Sequence, residues 1–292
     1  MWPQPEGTTV LGLIESGRVD ESEPALPLES VRLLPSIKPG AIRDFVAFEQ
    51  HIEGAKKGVE GDAGGVPAAW YEAPTFLFMN PHAGIGASDD VPVPAGCELM
   101  DFELEVAAVI GRDARDVTPE QARDHIAGYV ILNDWSARDI QGREMKVGLG
   151  PAKGKDFANT IGPWIVTPDE LADARAGKGF DLEMTVWIND ERIGGDRLSS
   201  MAWSFEEMLA YAARGANVRA GDLLASGTCG GGALAEHWGR NGRLDPPPLR
   251  PGDVVTMTVE GIGTIRNRVV EGPSSVVEIP RARARGGSPS LA

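Results

Sequence analysis

Apolar and polar positions fall into many short runs and few long ones. Residues 101–111, DFELEVAAVIG, alternate at first, turn continuously apolar and stop at a glycine, which predicts a strand. Residues two apart on a strand point to one side. Glu103 and Glu105 therefore share a face, and Leu104 and Val106 take the other. Residues 128–135 are short, β-branched and apolar, a buried strand with Asp134 at its end. Further strands are predicted over 70–79, 161–166 and 222–228, and over 251–259 with a partner in 262–270. Residues 180–193 alternate around Asn189-Asp190, a hairpin turn.

Helical spacing is confined to three stretches. Residues 41–57 carry Ile42, Phe45, Val46 and Phe48 as an apolar stripe, with Asp44 and His51 two turns apart and hence on one face. Residues 118–123 open with Thr118 as N-cap, Pro119 at the first helical position and Gln121 three after the cap. Residues 204–211 start at Ser204 and end near Gly215. Glycines 54, 58, 61, 64 and 65 make a flexible stretch suited to a lid. Residues 9–14 and 30–34 read as strands of a short N-terminal β-containing segment over 1–40, and residues 281–292 as a disordered tail. Strands outnumber helices, and neither a repeat nor a linker divides the rest. The expectation is a β-rich α+β core over residues 41–280.

Composition narrows the partners. The 292 residues carry a formal net charge of −15, with no basic patch to offset it, so neither nucleic acid nor an anionic membrane is an expected partner. Two cysteines, Cys97 and Cys229, support neither a disulfide framework nor a thiolate zinc site, and a reducing cytoplasm is the simplest location. No apolar run approaches the ~20 residues of a membrane span. The N-terminus, MWPQPEGTTV, lacks the basic and apolar regions of a signal peptide.

The chemistry lies in residues 101–157. Two carboxylates on one face repel and call for a cation, and Asp134 adds a third oxygen donor at a second strand end. Such a set suits a hard cation, Mg²⁺, Mn²⁺ or Ca²⁺, ahead of zinc. The same spacing also describes a surface strand with its glutamates in water. Asp44 and His51 pair a carboxylate with an imidazole, as a ligand beside a general base would, or they lie unrelated on a surface helix. Residues 150–157, GPAKGKDF, fail as a phosphate loop, because Leu149 stands in place of the first glycine and Asp156 in place of Ser or Thr. Lys155, flanked by glycine, reads instead as an electrostatic catalyst.

Together these segments resemble the fumarylacetoacetate hydrolase family. Asp101-Phe102-Glu103-Leu104-Glu105 resembles its metal-binding strand, and Asn133-Asp134-Trp135-Ser136-Ala137-Arg138-Asp139-Ile140-Gln141 its most specific segment. Gly154-Lys155-Asp156-Phe157 with Gly162-Pro163-Trp164 is similar to its lysine loop, and Ser226-Gly227-Thr228 with Pro251-Gly252-Asp253 to its C-terminal core. The likeness covers roughly residues 40–275. It implies a β-roll around the active site and a homodimer. It also implies Mg²⁺ (or Mn²⁺ or Ca²⁺) on Asp44, Glu103, Glu105 and Asp134. His51 would activate water, oriented by Glu236. Lys155 would stabilise developing negative charge, Gln141 and Thr228 would contact substrate, and Arg138 would support the site from behind.

The implied reaction is hydrolytic cleavage of a C–C bond in an anionic dicarbonyl, a β-diketone or acylpyruvate-like acid, through a stabilised enolate. Two departures point away from fumarylacetoacetate itself: Glu60 stands where the family has a substrate-contacting Arg, and Met145 where it has a Tyr. Decarboxylation or isomerisation of a 2-oxo diacid in aromatic catabolism is the alternative on the same platform. A non-catalytic small-molecule-binding relative is the third reading.

Overall fold

A computed structural model describes residues 1–60 and 65–282, with the side chains of residues 56–60 outside the described set. The strands of the first half are β1 (Ile42–Phe45), β2 (Phe76–Met79), β3 (Gly84–Ile85), β4 (Val91–Pro92), β5 (Met100–Asp101), β6 (Leu104–Ile110), β7 (Ile126–Asp134) and β8 (Ser136–Ala137). Those of the second half are β9 (Asn159–Val166), β10 (Arg175–Ala176), β11 (Gly179–Phe180), β12 (Glu183–Ile188), β13 (Glu191–Arg197), β14 (Leu223–Ala225), β15 (Val254–Val259) and β16 (Gly263–Val270). The helices are α1 (Val10–Ser16), α2 (Glu49–Glu60), α3 (Pro119–Ala122), α4 (Arg138–Met145), α5 (Phe205–Ala212) and α6 (Leu234–Asn241).

Seven strands form the main sheet in the order β2-β1-β14-β6-β7-β9-β3, and five form a second in the order β13-β12-β15-β16-β4. The β-rich α+β expectation holds, and the central strands explain why their sequences are apolar without a break. Every residue of β6 is buried. Leu104, Val106, Ala108 and Ile110 join a large core, while Ala107 and Val109 face a smaller cluster on the other side with Val130 and Leu132 of β7. A strand buried on both faces gains on both, so alternation disappears.

The N-terminal segment differs from expectation. Residues 9–14 do not form a strand; α1 occupies them instead. Thr9 caps it through Gly12 N–H, and Gly17 closes it in the left-handed region at φ 60°. Leu11 and Ile14 are three apart on one helical face, and Leu11 packs on the smaller apolar cluster. Residues 31–34 likewise form no strand; a 3₁₀ turn at Leu28–Ser30 precedes them.

The second correction touches the site. Residues 41–57 are not one helix: β1 precedes α2. β1 pairs parallel with β14 and antiparallel with β2. Ile42 enters the small cluster and Phe45 the main core, so the apolar stripe comes from a strand buried on both sides. A short apolar run does not distinguish a buried strand from a helix. Residues 70–79 narrow to β2 behind a 3₁₀ turn at Ala68–Tyr71.

Local signals fared better where they were specific. Asn189 and Asp190 take φ of 49° and 68°, as a two-residue hairpin turn requires. Thr118 and Ser204 both complete capping boxes. No helix among the described residues is long and apolar enough to cross a membrane. Residues 61–64, which hold much of the expected lid, and residues 283–292 of the tail lie outside the described residues.

Candidate metal and active site

Four carboxylates converge from three stretches of the chain. β1 delivers Asp44, β6 delivers Glu105, and Asp134 ends β7. Glu103 stands one residue ahead of β6. Its N–H donates to Asn133 Oδ1 at 3.0 Å, and its carbonyl accepts from Asp134 N–H at 3.2 Å. Asp44, Glu103, Glu105 and Asp134 are 6%, 4%, 0% and 0% exposed, so little water offsets their mutual repulsion. One oxygen from each lies within 4.8 Å of the others.

Burial, then the charge of Asp134, raises the Asp44 pKa well above the usual carboxylate range. Burial and Asp44 do the same to Glu105. Asp134 is pushed up to about 7 by burial, against the pull of Lys155 and with the repulsion of Glu103. Glu103 moves the other way: burial opposes its charge, but Lys155, Arg138 and His51 more than offset that and lower its pKa.

Two cations meet these groups. The Lys155 ammonium donates to Glu103 Oε2 at 2.5 Å and to Asp134 Oδ2. Burial works against its charge, yet Asp134 and Glu103 raise its pKa above the ordinary lysine value. The 3₁₀ turn Lys153–Lys155 places it, and Gly154 lets that turn lie against Gln141, whose backbone N a Cβ would meet at 2.7 Å. The Glu144 carboxylate anchors the approach by accepting from the N–H groups of Ala152 and Lys153 at 2.6 and 2.7 Å. Arg138, the first residue of α4, donates from Nε to Asp101 at 2.8 Å, from Nη2 to Glu103 at 2.7 Å and from Nη1 to Gln141 at 3.1 Å.

His51 reaches the same place from α2, so the two residues expected on one helical face come from a strand and the helix after it. Its Nδ1 lies 2.8 Å from Glu236 Oε1 on α6, and its Nε2 is 4.0 Å from Glu103. Glu236 accepts at its carboxylate oxygens, so Nδ1 carries the N–H that faces it, and in the neutral ring Nε2 is the accepting nitrogen. A cavity of about 290 Å³ joins these groups. Asp44, His51, Glu103, Arg138, Gln141, Lys155 and Thr228 line it, with Val46, Ala55, Phe76, Leu77 and Pro151 as an apolar wall. Gly227, at φ 76°, carries Thr228 past β1, where a Cβ would stand 2.3 Å from the Phe45 carbonyl oxygen. Thr228 Oγ1 then lies 3.5 Å from Glu105. Every expected site residue is thus in or directly behind one cavity.

The residues fit a hard divalent cation. Asp44 Oδ1, Glu105 Oε2 and Asp134 Oδ1 are buried oxygens with no hydrogen-bond partner. A buried anionic oxygen without a partner is costly, and an all-oxygen donor set is what Mg²⁺, Mn²⁺ or Ca²⁺ takes.

Spacing did not point to Asp101, which is fully buried and accepts from Arg138, from Phe102 N–H, and from Leu234 and Ala235 N–H at the start of α6. It therefore fixes α4 and α6 together. Glu144 and Arg240 were also missed. For Asp101 and Arg240 the usable signal was a fixed offset from a site residue, two before Glu103 and four after Glu236. Of the two departure positions, Met145 is half exposed at the end of α4, and the Glu60 side chain is outside the described set. Cys229 is buried and its thiol pKa is raised by burial, as an inert core cysteine's would be.

These shifts give a test of cation binding. The folded chain holds Asp134 protonated up to about pH 7, whereas an unfolded aspartate ionises near pH 4. Between those values the folded state keeps a proton that the unfolded state has lost, so cation-free stability falls as pH rises; Asp44 and Glu105 act in the same direction. A divalent cation at ~100 times its Kd adds about 2.7 kcal/mol, or about 5–10 °C for a domain of this size. Thermal unfolding in chelator and in excess Mn²⁺ should show a gain that is larger at pH 8 than at pH 5. A pH-independent gain, or none, would remove these carboxylates as ligands.

Comparison with known proteins places this geometry. Residues 40–270 match the family model described as fumarylacetoacetate (FAA) hydrolase C-terminal. The chain is 30% identical over 247 residues to fumarylacetoacetase of Dictyostelium discoideum, a match covering 70% of this chain and 58% of that protein. Among solved structures it is similar to the fumarylacetoacetate hydrolase from psychrophilic Exiguobacterium antarcticum, at 27% identity and TM-score 0.69 over 90% of this chain and 88% of that one. It is also similar to 2-hydroxyhepta-2,4-diene-1,7-dioate isomerase from Mycobacterium marinum, at 29% identity and TM-score 0.64 over 86% and 82% of the two chains.

Proposed function

The chain belongs to the fumarylacetoacetate hydrolase family, and on that premise we propose that it is a divalent-metal-dependent hydrolase. It cleaves a C–C bond of a β-diketone or acylpyruvate-like acid. The observation that carries this reading is the His51–Glu236 pair, with Nε2 bare on the cavity side opposite the four carboxylates. Decarboxylation and tautomerisation need no attacking water; tautomerisation does use a base, so the products decide between the readings.

Asp44, Glu103, Glu105 and Asp134 would hold the cation, Mg²⁺, Mn²⁺ or Ca²⁺ by donor type. When bound, it supplies Lewis acidity toward the two oxygens of a 1,3-dicarbonyl. The remaining chemistry falls to the chain's own residues. His51 Nε2 takes a proton from water, and Glu236 stabilises the imidazolium through Nδ1–H. The hydroxide oxygen bonds to the carbonyl carbon as the C=O π pair moves onto its oxygen. That pair then re-forms the carbonyl while the C–C bond breaks, and the C–C electron pair passes to the neighbouring fragment as an enolate. Lys155 spends two of its three N–H groups on Glu103 and Asp134, which leaves one for the enolate oxygen. The proton on His51 then returns to the enolate carbon. The products are one carboxylic acid and one ketone. Gln141 and Thr228 would orient the substrate, with Gln141 itself held by Arg138.

The likeness to an isomerase of an unsaturated dioate supports the second reading, isomerisation or decarboxylation of a 2-oxo diacid. One experiment separates the two. Metal-stripped protein is given Mg²⁺ or Mn²⁺ and a panel of acylpyruvates, oxaloacetate and unsaturated 2-oxo diacids, with products identified by mass. Two carboxylate-bearing fragments from an acylpyruvate support hydrolysis. Loss of CO₂, or an unchanged mass, moves the assignment. Tight cation binding without turnover favours the non-catalytic reading. The homodimer and the cytoplasmic location belong to the same proposal.

A further inference from the structure

Glu236 is fully buried, and its second oxygen is as firmly engaged as its first. Oε1 faces His51 Nδ1. Oε2 accepts from Gly231 N–H at 2.9 Å and from Arg240 Nη2 at 2.7 Å. Arg240 lies one helical turn along α6 from Glu236, on the same face. Its guanidinium sits over Gly54 of α2, where a Cβ would be 3.2 Å from Nη2. Gly54 follows His51 by three residues, so the notch that admits the guanidinium and the imidazole share a face of α2.

We infer that Arg240 is a positioning residue for the general base: it fixes the Glu236 carboxylate so that one oxygen is committed to His51 Nδ1–H and Nε2 stays bare toward the cavity. The inference rests on the reading of His51 as base. An exposed i,i+4 ion pair contributes little to stability. Here the partner carboxylate is wholly buried, and without the guanidinium its Oε2 keeps a single backbone donor. The carboxylate is then free to rotate and to share its oxygens differently. Catalysis would register that change more than folding, because Arg240 itself is 37% exposed on its side chain.

The test uses Arg240→Met and Arg240→Lys in the full chain. In Mg²⁺-loaded protein, the imidazole N–H of His51, one of only four histidines, should give a downfield proton resonance that exchanges slowly with water. Arg240→Met should speed that exchange, and Arg240→Lys should largely restore it. With acetylpyruvate as substrate, Arg240→Met should lower kcat about 10–100-fold, the usual cost of losing an outer hydrogen-bonding partner. KM should barely move; melting temperature should fall in Arg240→Met, because the buried carboxylate loses a charged partner, and return in Arg240→Lys. In a His51→Ala background the same change should cost nothing further. A slow-exchanging resonance and unchanged kcat in Arg240→Met, with His51→Ala inactive, would overturn the positioning role alone. Full turnover by His51→Ala would overturn the base itself. Equal losses with and without His51 would reduce Arg240 to support of the fold.

Discussion

Replacing His51 by Ala is expected to lower kcat on an acylpyruvate by about 10²–10⁴-fold, the range that a positioned proton-transfer group contributes. His51 is 9% exposed, bonded through Nδ1 to a carboxylate that meets no water, and it lines the cavity that Asp44 and Glu103 also line. Cation affinity should be almost unchanged, because the imidazole is 4.0 Å from Glu103 and bonded to none of the four. That pairing of outcomes is decisive. A lost cation would show as weaker Mn²⁺ binding, whereas a lost base leaves binding intact and removes turnover. Glu236→Gln should fall in the same direction by less, since an amide still accepts from Nδ1–H but no longer stabilises the imidazolium. The double variant should be little worse than His51→Ala, because the two act as one unit. Turnover that survives in His51→Ala with release of CO₂ would transfer the protein to the decarboxylase reading.

The sequence was most informative where a residue's surroundings were local. The hairpin at Asn189-Asp190 and the caps at Thr118 and Ser204 need only their own few residues, and the structure reproduces them. The carboxylates were readable in part: Glu103 and Glu105, two apart, ask for a positive partner, but their spacing also suits a strand with its glutamates in water. The site could be assembled only through resemblance, because nothing local brings Asp44 near Ala225 or His51 near Glu236, 185 positions away. Two of the failures share a cause. Residues 42–48, at the head of the expected helix, and 9–14 are short runs rich in apolar residues, and which period they obey depends on what covers them. β1 is buried on both faces by neighbours from far along the chain, while α1 lies over the small apolar cluster on one face only. Arg240 escaped notice because its significance lies in Glu236's second oxygen, which spacing does not describe.

Lys155→Met should lower kcat by about 10²–10³-fold, the loss that follows removal of one donor to a developing oxyanion. Cation affinity should rise or hold. The two effects are opposed because the ammonium has two relations to the site. It donates to Glu103 and Asp134, and in doing so offsets part of the charge of the cluster that would bind the cation. Like charges a few ångströms apart in such surroundings repel by a few kcal/mol, so removing the ammonium frees two carboxylates for the cation and lifts that repulsion. Without a cation the same variant keeps Arg138 on Glu103 but loses the ammonium from Glu103 and Asp134, so it should unfold earlier than wild type in chelator and recover in Mn²⁺. If Lys155 served only to neutralise carboxylates, saturating Mn²⁺ would replace it, and kcat would return with stability. If it donates to the substrate enolate, stability returns and kcat does not. Melting temperature and kcat, measured on one Mn²⁺ titration of the variant, read both quantities from the same protein. Their separation at saturation is what an electrostatic catalyst demands.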